Sequence, residues 1–543
     1  VEHWFTAADS CYEPRAPIQP RGSRVSKFMS DARSFYVTTA IPYANGAPHI
    51  GHAYERIATD SIARFKRLDG YDVLFVTGMD EHGQKMQQTA AREGLTPQQL
   101  ADRTAAQFAA LGAALEAPAD DIVRTTQARH HCAAQEMWSR MAKAGDIYLS
   151  KYPGWYSIRD EAFFDESDLS VASDGTRLAP TGAPVEWVEE ESYYFRLSTY
   201  GDRLLAHYRE HPDFVTPEKY RNEIVAFVER GLKDLSISRS TFDWGIPVPD
   251  DPRHIMYVWV DALTNYLTGT GFPNPEASRG AFWPADAHVI GKDITRFHAI
   301  FWPAFLMSAC VALPKQIVVH GFLFNKGEKM SKSVGNVIDP FALAELYGTD
   351  QLRYFLLREV PFGQDGNYSH EAIVARINAD LANDLGNLAQ RSLSMLTKYF
   401  DGRLPEPSVF SDEDLEILAR AGELAQKSRV LFQDYALHGI LNEIWRVIGE
   451  ANRYFAAQEP WVKRKTDPSR MATILYVTAE VLRMVGIVTQ PFMPASMGRL
   501  LDLLGVDTDA RTLADSEVRL ALSPGARLPE PTPIFPRFVA LEP

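Results

Sequence analysis

The sequence predicts a doubly wound α/β domain with a parallel sheet, split by an inserted domain and followed by an all-α bundle. Three observations carry this expectation. Short apolar runs ending in polar, Gly- or Asp-bearing loops alternate with amphipathic stretches in two separate parts of the chain, 29–120 and 246–325. Between them, residues 121–245 turn to aromatic and acidic clusters such as Trp155-Tyr156 and Glu189-Glu190-Glu191. From 371 to 515, long amphipathic segments take over, with proline confined to boundaries such as Pro405, Pro407 and Pro460.

Residues 1–28 mix Pro14, Pro17, Pro20 and Gly22 with scattered charges and no period, and read as a disordered extension, with Met29 a candidate start. Phe35-Tyr36-Val37-Thr38-Thr39 reads as a strand that enters the loop Pro42-Tyr43-Ala44-Asn45-Gly46. Ile57, Ile62, Phe65 and Leu68 recur at helical spacing, and Gly70 stops that helix. Val73-Leu74-Phe75-Val76 has the unbroken apolar character of a strand buried on both faces, and it delivers Asp80 at its carboxyl end. Two later units repeat the design: His288-Val289-Ile290 before Gly291-Lys292-Asp293, and Gln316-Ile317-Val318-Val319 before His320-Gly321. Ligands of such sheets sit beyond the carboxyl ends of the strands. A loop region is expected over 326–370, and the proline-rich stretch 516–543 reads as an extended tail.

Fifty-six Lys plus Arg against 70 Asp plus Glu gives a formal charge of -14, so no global basic field draws in nucleic acid; RNA contact requires local patches. Cys11, Cys132 and Cys310 are too widely spaced for a CxxC pair, which argues against a disulfide framework and fits three free thiols. No run of about 18 apolar residues and no basic-then-apolar leader is evident, so the expected location is the cytosol.

Two strings carry chemistry. His49-Ile50-Gly51-His52 places two imidazoles and a close-approach glycine at a helix start, where backbone N–H groups and the dipole favour anions. Gly327-Glu328-Lys329-Met330-Ser331-Lys332-Ser333 sets two lysines three apart on a short loop able to close over phosphates. Either string alone arises by chance, but the pair, in this order around an insertion and before a helical bundle, resembles the two signatures of class I aminoacyl-tRNA synthetases. Three wider blocks make the resemblance specific to the methionyl-tRNA synthetase family: Ala40-Ile41-Pro42-Tyr43-Ala44-Asn45-Gly46, Val258-Trp259-Val260-Asp261-Ala262, and Gly291-Lys292-Asp293-Ile294 with His298 and Trp302.

That resemblance, over 35–515, implies a Rossmann-type catalytic domain in two halves (29–120 and 246–325), a connective insertion (121–245), a stem-contact region (326–370) and an anticodon-binding bundle (371–515). It implies methionine activation by ATP with Mg2+, then transfer to tRNA(Met). By the same resemblance His49, His52, Lys329 and Lys332 are the catalytic donors. ATP falls to His49, Gly51, His52, Glu55, Gly291, Asp293 and Lys332. Methionine falls to Asp80, for the ammonium, and to Ile41, Tyr43, Trp259, Ala262, Leu263, Tyr266, Ile294, His298 and Trp302. Asn387, Arg391 and Trp461 correspond to the family's anticodon readers, with Lys463-Arg464-Lys465 supplying local positive charge. A polarisable thioether suits an aromatic pocket, and splayed bases suit an exposed indole.

Two departures shape the expectation. Many relatives carry paired cysteines after a Gly-Trp-Tyr segment, whereas Gly154-Trp155-Tyr156 here leads into Ser157-Ile158-Arg159-Asp160, so no structural zinc is expected. Leu263 replaces a proline of some relatives. The expected assembly is a monomer. Competing readings are another class I synthetase, a non-catalytic tRNA-binding paralogue and a simpler nucleotidylyltransferase. The paired signatures argue against the paralogue and the bundle argues against the nucleotidylyltransferase.

Overall fold

The computed structural model describes residues 33–160, 162–325, 328–329, 338–517 and 520–539. The expected extension over 1–28, Met29, and Lys332 with Ser331 and Ser333 lie outside the described residues; Lys329 is described only as backbone. In chain order, the elements that position the site are β1 (Ser34–Thr39), α1 (Ile50–Leu68), β2 (Asp72–Met79), α2 (Gln84–Arg92), α3 (Pro97–Ala114), β3 (Asp121–Arg124) and α4 (Ala128–Lys143). There follow β4 (Ile147–Ser157), β5 (Ala162–Phe164), β6 (Glu186–Phe195), β7 (Val215–Thr216), β8 (Leu235–Ser236), α5 (Val258–Thr268), β9 (Ala287–Gly291) and β10 (Ile317–His320).

Six strands form one parallel sheet in the order β3-β2-β1-β9-β10-β7. β1 pairs with β2 on one side and with β9 on the other, so the two halves of the chain meet at β1, the switch point at which such sheets open a ligand crevice. β2 is buried at every position after Asp72, as its unbroken apolar run requires. The segment expected as an insertion supplies two outer strands of this sheet, β3 and β7. It also builds its own antiparallel sheet in the order β8-β6-β4-β5.

One face of the central sheet is covered by α1, whose Ile57, Ile62 and Phe65 pack with Val37, Phe75, Val289 and Val318. That apolar cluster runs on into the bundle through Leu356, Leu385, Ile444 and Ile448, so the sheet and the bundle share a core. Each fully buried side chain of this kind contributes roughly 1.5–3 kcal/mol. The opposite face buries Tyr266, Ile290, Trp302, Phe305 and Val319.

The bundle includes α6 (Asn387–Tyr399), α7 (Leu437–Gln458), α8 (Pro460–Thr466) and α9 (Pro468–Thr489). Contrary to the expectation that no apolar run is long enough to span a bilayer, α9 has the length and apolarity to do so; all of its apolar window is buried, making it the bundle's core helix. The tail is extended, yet it is laid against the bundle: Leu528, Ile534 and Phe535 are buried, and Leu528 N–H donates to the Gly402 carbonyl at 2.7 Å. Cys310 is a free, exposed thiol, and Cys11 lies outside the described residues.

Candidate active site

The loop leaving β1 is held across the crevice by backbone bonds. Ala40 N–H donates to Val289 at 3.0 Å, Asp80 N–H to Pro42 at 3.0 Å, and Ala44 N–H to Asp80 at 2.8 Å. Tyr43 and Asp80 thereby pair in a parallel bridge just beyond the ends of β1 and β2. Asp80 stands at a strand end and does not cap the next helix, whose N-cap is Gly83.

His49 is the N-cap of α1, and its Nδ1 accepts from Gly51 N–H at 3.1 Å, while His52 Nδ1 accepts from His49 N–H at 3.1 Å. The two rings stack with centroids 3.7 Å apart. A backbone N–H can only donate, so each Nδ1 is unprotonated, and each neutral ring carries its proton on Nε2. Both imidazoles therefore offer an Nε2–H donor at a helix N-terminus. Gly51 is required by the close approach: a Cβ there would lie 2.9 Å from His49 Cε1 and 3.0 Å from its Nδ1.

These residues border a cleft of about 560 Å³ at the carboxyl ends of the strands. Its walls bring together His49, Gly51, His52 and Glu55 from α1, Ile41, Tyr43 and Asp80 from the first two strand exits, Trp259 from α5, and Gly291, Asp293 and Ile294 after β9. The turn after β9 is pinned by Lys292, whose ammonium donates to both oxygens of Asp365 at 2.8 and 2.7 Å. A Cβ at Gly291 would lie 2.8 Å from Asp293 Oδ1, so the bare backbone lets that carboxylate fold alongside.

His320, Lys85, Arg159 and Asp160 also line the cleft, and sequence reasoning had not assigned them. His320 was findable, because it ends β10 as Asp80 follows β2 and Gly291 ends β9. Its Nε2 lies 2.9 Å from Glu55 Oε2. Burial raises the Glu55 carboxyl above its ordinary value, partly offset by the bond from His320. Burial alone would lower His320, but the bond and charge of Glu55 outweigh it and leave the imidazole raised.

Ala262, Leu263, Tyr266, His298 and Trp302, expected as methionine contacts, are buried and do not line the cleft as Trp259 does. Ring contacts run inward from Trp259 to His298 at 6.0 Å, on to Tyr266 at 5.7 Å and to Trp302 at 6.1 Å. Trp259 itself stacks flat on Phe297 with centroids 3.8 Å apart. His298 Nδ1 lies 2.9 Å from the Ile294 carbonyl, which can only accept, so Nδ1 carries the proton and Nε2 accepts from Tyr266 Oη–H at 2.6 Å. Burial lowers the His298 pKa to about 4, so the ring is neutral at pH 7. The layer is thus aromatic and uncharged, with Tyr266 and His298 hydrogen-bonded to each other and the Trp302 Nε1 buried without a partner among the described residues, which suits a thioether better than an ionic group.

On the bundle, Asn387 and Arg391 are exposed on one face of α6, and Arg391 lies over the Trp461 ring at 5.2 Å and the Phe455 ring at 5.1 Å. Trp461, at the start of α8, is 42% exposed, so its indole keeps a face open to solvent.

The family model "tRNA synthetases class I (M)" matches residues 35–393, and the model "Anticodon binding domain of methionyl tRNA ligase" matches 419–540. The methionine–tRNA ligase of Brucella suis biovar 1 (strain 1330) is 61% identical over 505 residues, which cover 93% of this chain and 98% of the relative. That of Rhizobium meliloti (strain 1021) is 59% identical over 515 residues, 95% of this chain and 100% of the relative. Among solved structures, Mycobacterium tuberculosis methionyl-tRNA synthetase in complex with methionyl-adenylate overlays with a TM-score of 0.91 at 58% identity, covering 93% of this chain and 100% of that one. The free form of that enzyme overlays at 0.86 and 55% identity, covering 94% of this chain and 100% of that one. With family models matching most of its length and relatives this similar over nearly all of it, the chain belongs to the class I methionine–tRNA ligase family.

Proposed function

We propose that this cleft activates methionine with ATP and then transfers it to the 3′-terminal adenosine of tRNA(Met), with His49 and His52 as the phosphate-facing donors. The observation that carries the assignment is the tautomer: with both Nδ1 atoms engaged by backbone N–H groups, both Nε2–H groups are donors at a helix N-terminus. The methionine carboxylate is ionised near pH 7 and attacks the α-phosphorus of ATP without a general base; its oxygen forms the new bond to phosphorus and pyrophosphate leaves with the electron pair. Charge spreading over the phosphoryl oxygens is met by His49 and His52 and, by resemblance, by Lys329 and Lys332; loss of one such donor costs about 3 kcal/mol in the transition state. In the second step a ribose hydroxyl attacks the activated carbonyl and AMP leaves.

Asp80 takes the substrate ammonium, and the layer from Trp259 through His298 and Tyr266 to Trp302 takes the thioether, with Ile41, Tyr43, Ala262, Leu263 and Ile294 completing the pocket. Glu55, Gly51, Gly291 and Asp293 hold the adenosine side. Such a pocket separates side chains differing by one methylene by only about 1–3 kcal/mol, so homocysteine is activated to a measurable extent, visible as homocysteine-dependent AMP release. Mg2+ enters together with ATP, as part of that co-substrate. No structural zinc is proposed at the turn after Tyr156, where the Asp160 carboxylate accepts from Ser157 and Thr181. Asn387, Arg391 and Trp461 read the anticodon. One copy holds both cleft and anticodon surface, so the working form is a monomer, and its place is the cytosol.

The test is pyrophosphate exchange into ATP across the twenty amino acids, on the wild-type chain and on Lys332→Ala. Exchange with methionine alone, largely lost in the variant, is expected. No exchange with any amino acid would overturn the reading, and exchange with a different one would overturn the pocket.

A further inference from the structure

The tripeptide that follows β2, Asp80-Glu81-His82, is clamped from three directions. The Asp80 backbone is bonded to the loop after β1, as described above. The Glu81 carboxylate, wholly buried, accepts from Arg124 Nε at 2.6 Å and from Thr126 Oγ1 at 2.5 Å, and its carbonyl accepts from Trp244 Nε1 at 2.6 Å. His82 turns the other way and reaches α5, where its Nδ1 lies 2.6 Å from Asp261 Oδ2. The second oxygen of Asp261 lies 2.7 Å from Nε2 of His130 on α4, whose Nδ1 is 2.9 Å from Thr268 Oγ1. The side chains of His82, Asp261 and His130 are 5%, 1% and 0% exposed.

Nothing in the adenylation chemistry uses this His-Asp-His group. Burying a carboxylate is costly unless both oxygens are satisfied, and here two ring N–H groups satisfy them. Burial would raise the Asp261 carboxyl, but the charges and bonds of His82 and His130 outweigh it and hold it below the usual carboxylate range, so it is ionised. Its place is informative: Asp261 stands two residues after Trp259 and one before Ala262, while His82 stands two residues after Asp80. Among the described side chains of α5, this carboxylate is tied directly to the Asp80 segment.

We propose that Asp261, held between His82 and His130, is a positioning residue that sets the Trp259 wall against Asp80 and so fixes the span between the thioether and ammonium ends of bound methionine. The inference rests on the reading of Asp80 and Trp259 as methionine contacts. Without the bridge, α5 and the end of β2 are no longer tied by a charge-assisted bond. The ATP side of the cleft, built on α1, β9 and β10, has no share in it.

The experiment measures KM for methionine and for ATP, with kcat, by pyrophosphate exchange on the full chain and on Asp261→Asn, together with Asp80→Asn. Asparagine keeps the volume but accepts on one side only, so one ring must change tautomer or lose its bond. The expected result is a methionine KM raised about tenfold or more with an ATP KM within about twofold of wild type. A methionine KM unchanged in Asp261→Asn, or a parallel rise for both substrates, would overturn the inference and leave Asp261 a stabiliser of the fold. If Asp80→Asn leaves the methionine KM unchanged, the reading of the pocket fails and the inference falls with it; if only Asp261→Asn is silent, the inference alone fails. Should Asp261→Asn not fold, His130→Gln and His130→Leu decide the matter. Glutamine retains an N–H donor for Oδ1 and is expected to keep the methionine KM near wild type, whereas leucine raises it; identical behaviour of the two would overturn the proposal.

Discussion

His320 Nε2 lies 2.9 Å from Glu55 Oε2, a bond between residues 265 positions apart that closes the floor of the cleft between the first signature helix and the last central strand of the second half. Both groups hold their protons to higher pH than usual, Glu55 because it is buried and His320 because the bond and charge of Glu55 outweigh its own burial.

The sign of the resulting pH dependence follows. Each folded pKa lies above its unfolded value, so the native state binds more protons, and this contribution to stability is complete below the ordinary carboxyl pKa of about 4.3 and is lost as pH rises through the raised values. Between about pH 5 and pH 8 the wild-type Tm therefore falls by a component that Glu55→Gln lacks. Thermal melts of both proteins across that range check this, and parallel profiles would refute it.

Gly51→Ala tests the histidine tautomer argument. A Cβ at 2.9 Å from the His49 ring forces that ring off the Gly51 N–H, so the Nδ1 acceptor bond is lost and the Nε2–H is re-aimed. A displacement of this order costs roughly a hundredfold in rate while the helix, which gains a better helix former, keeps its stability. Exchange kinetics alongside circular dichroism would show activity lost and helix retained.

Much of this architecture was legible because its signals are contiguous. The apolar runs around Val73 and Val289 announce buried strands, and His49 to His52 announces a helix start. What escaped was built by distant contacts. Glu55 was noticed but its partner His320 was not, and Asp261 stood in a quoted block without its link to His82, because no local pattern encodes pairing across 179 positions. The outer strands β3 and β7 were hidden in the insertion because they are short: Val215–Thr216 is two residues long and joins the sheet only through its neighbour β10. The tail read as extended, correctly in backbone, but the burial of Ile534 and Phe535 depends on a bundle surface that sequence alone does not display.

Arg353 and Asp60 tie the bundle side of the molecule to α1 with their side chains 0% and 1% exposed and 2.6 Å apart. The guanidinium also donates to the carbonyls of Phe492, Pro491 and Leu115, so its fork is satisfied within the protein. Arg353→Met leaves the Asp60 carboxylate with Arg64 at 2.8 Å and the charge of Arg56 nearby, and three carbonyls without their donor. The expected cost is about 3–5 kcal/mol, read as a lowered Tm, with methionine exchange unchanged below the melt. A variant as stable as wild type would show that the pair is dispensable.

Trp461 separates the two ends of the proposed reaction. Its indole is exposed beside Arg391 on the bundle, at α8, an element that contributes nothing to the cleft walls. Base stacking on such a ring is worth about 1–3 kcal/mol, so Trp461→Ala should lower kcat/KM for tRNA aminoacylation by roughly 5- to 150-fold. Pyrophosphate exchange, which needs no tRNA, should be untouched. Trp461→Phe keeps a stacking face and should recover most of the loss, whereas Arg391→Ala removes the cation over the ring and should weaken tRNA use in the same direction. Equal loss of exchange and aminoacylation in Trp461→Ala would place the residue in folding and not in recognition.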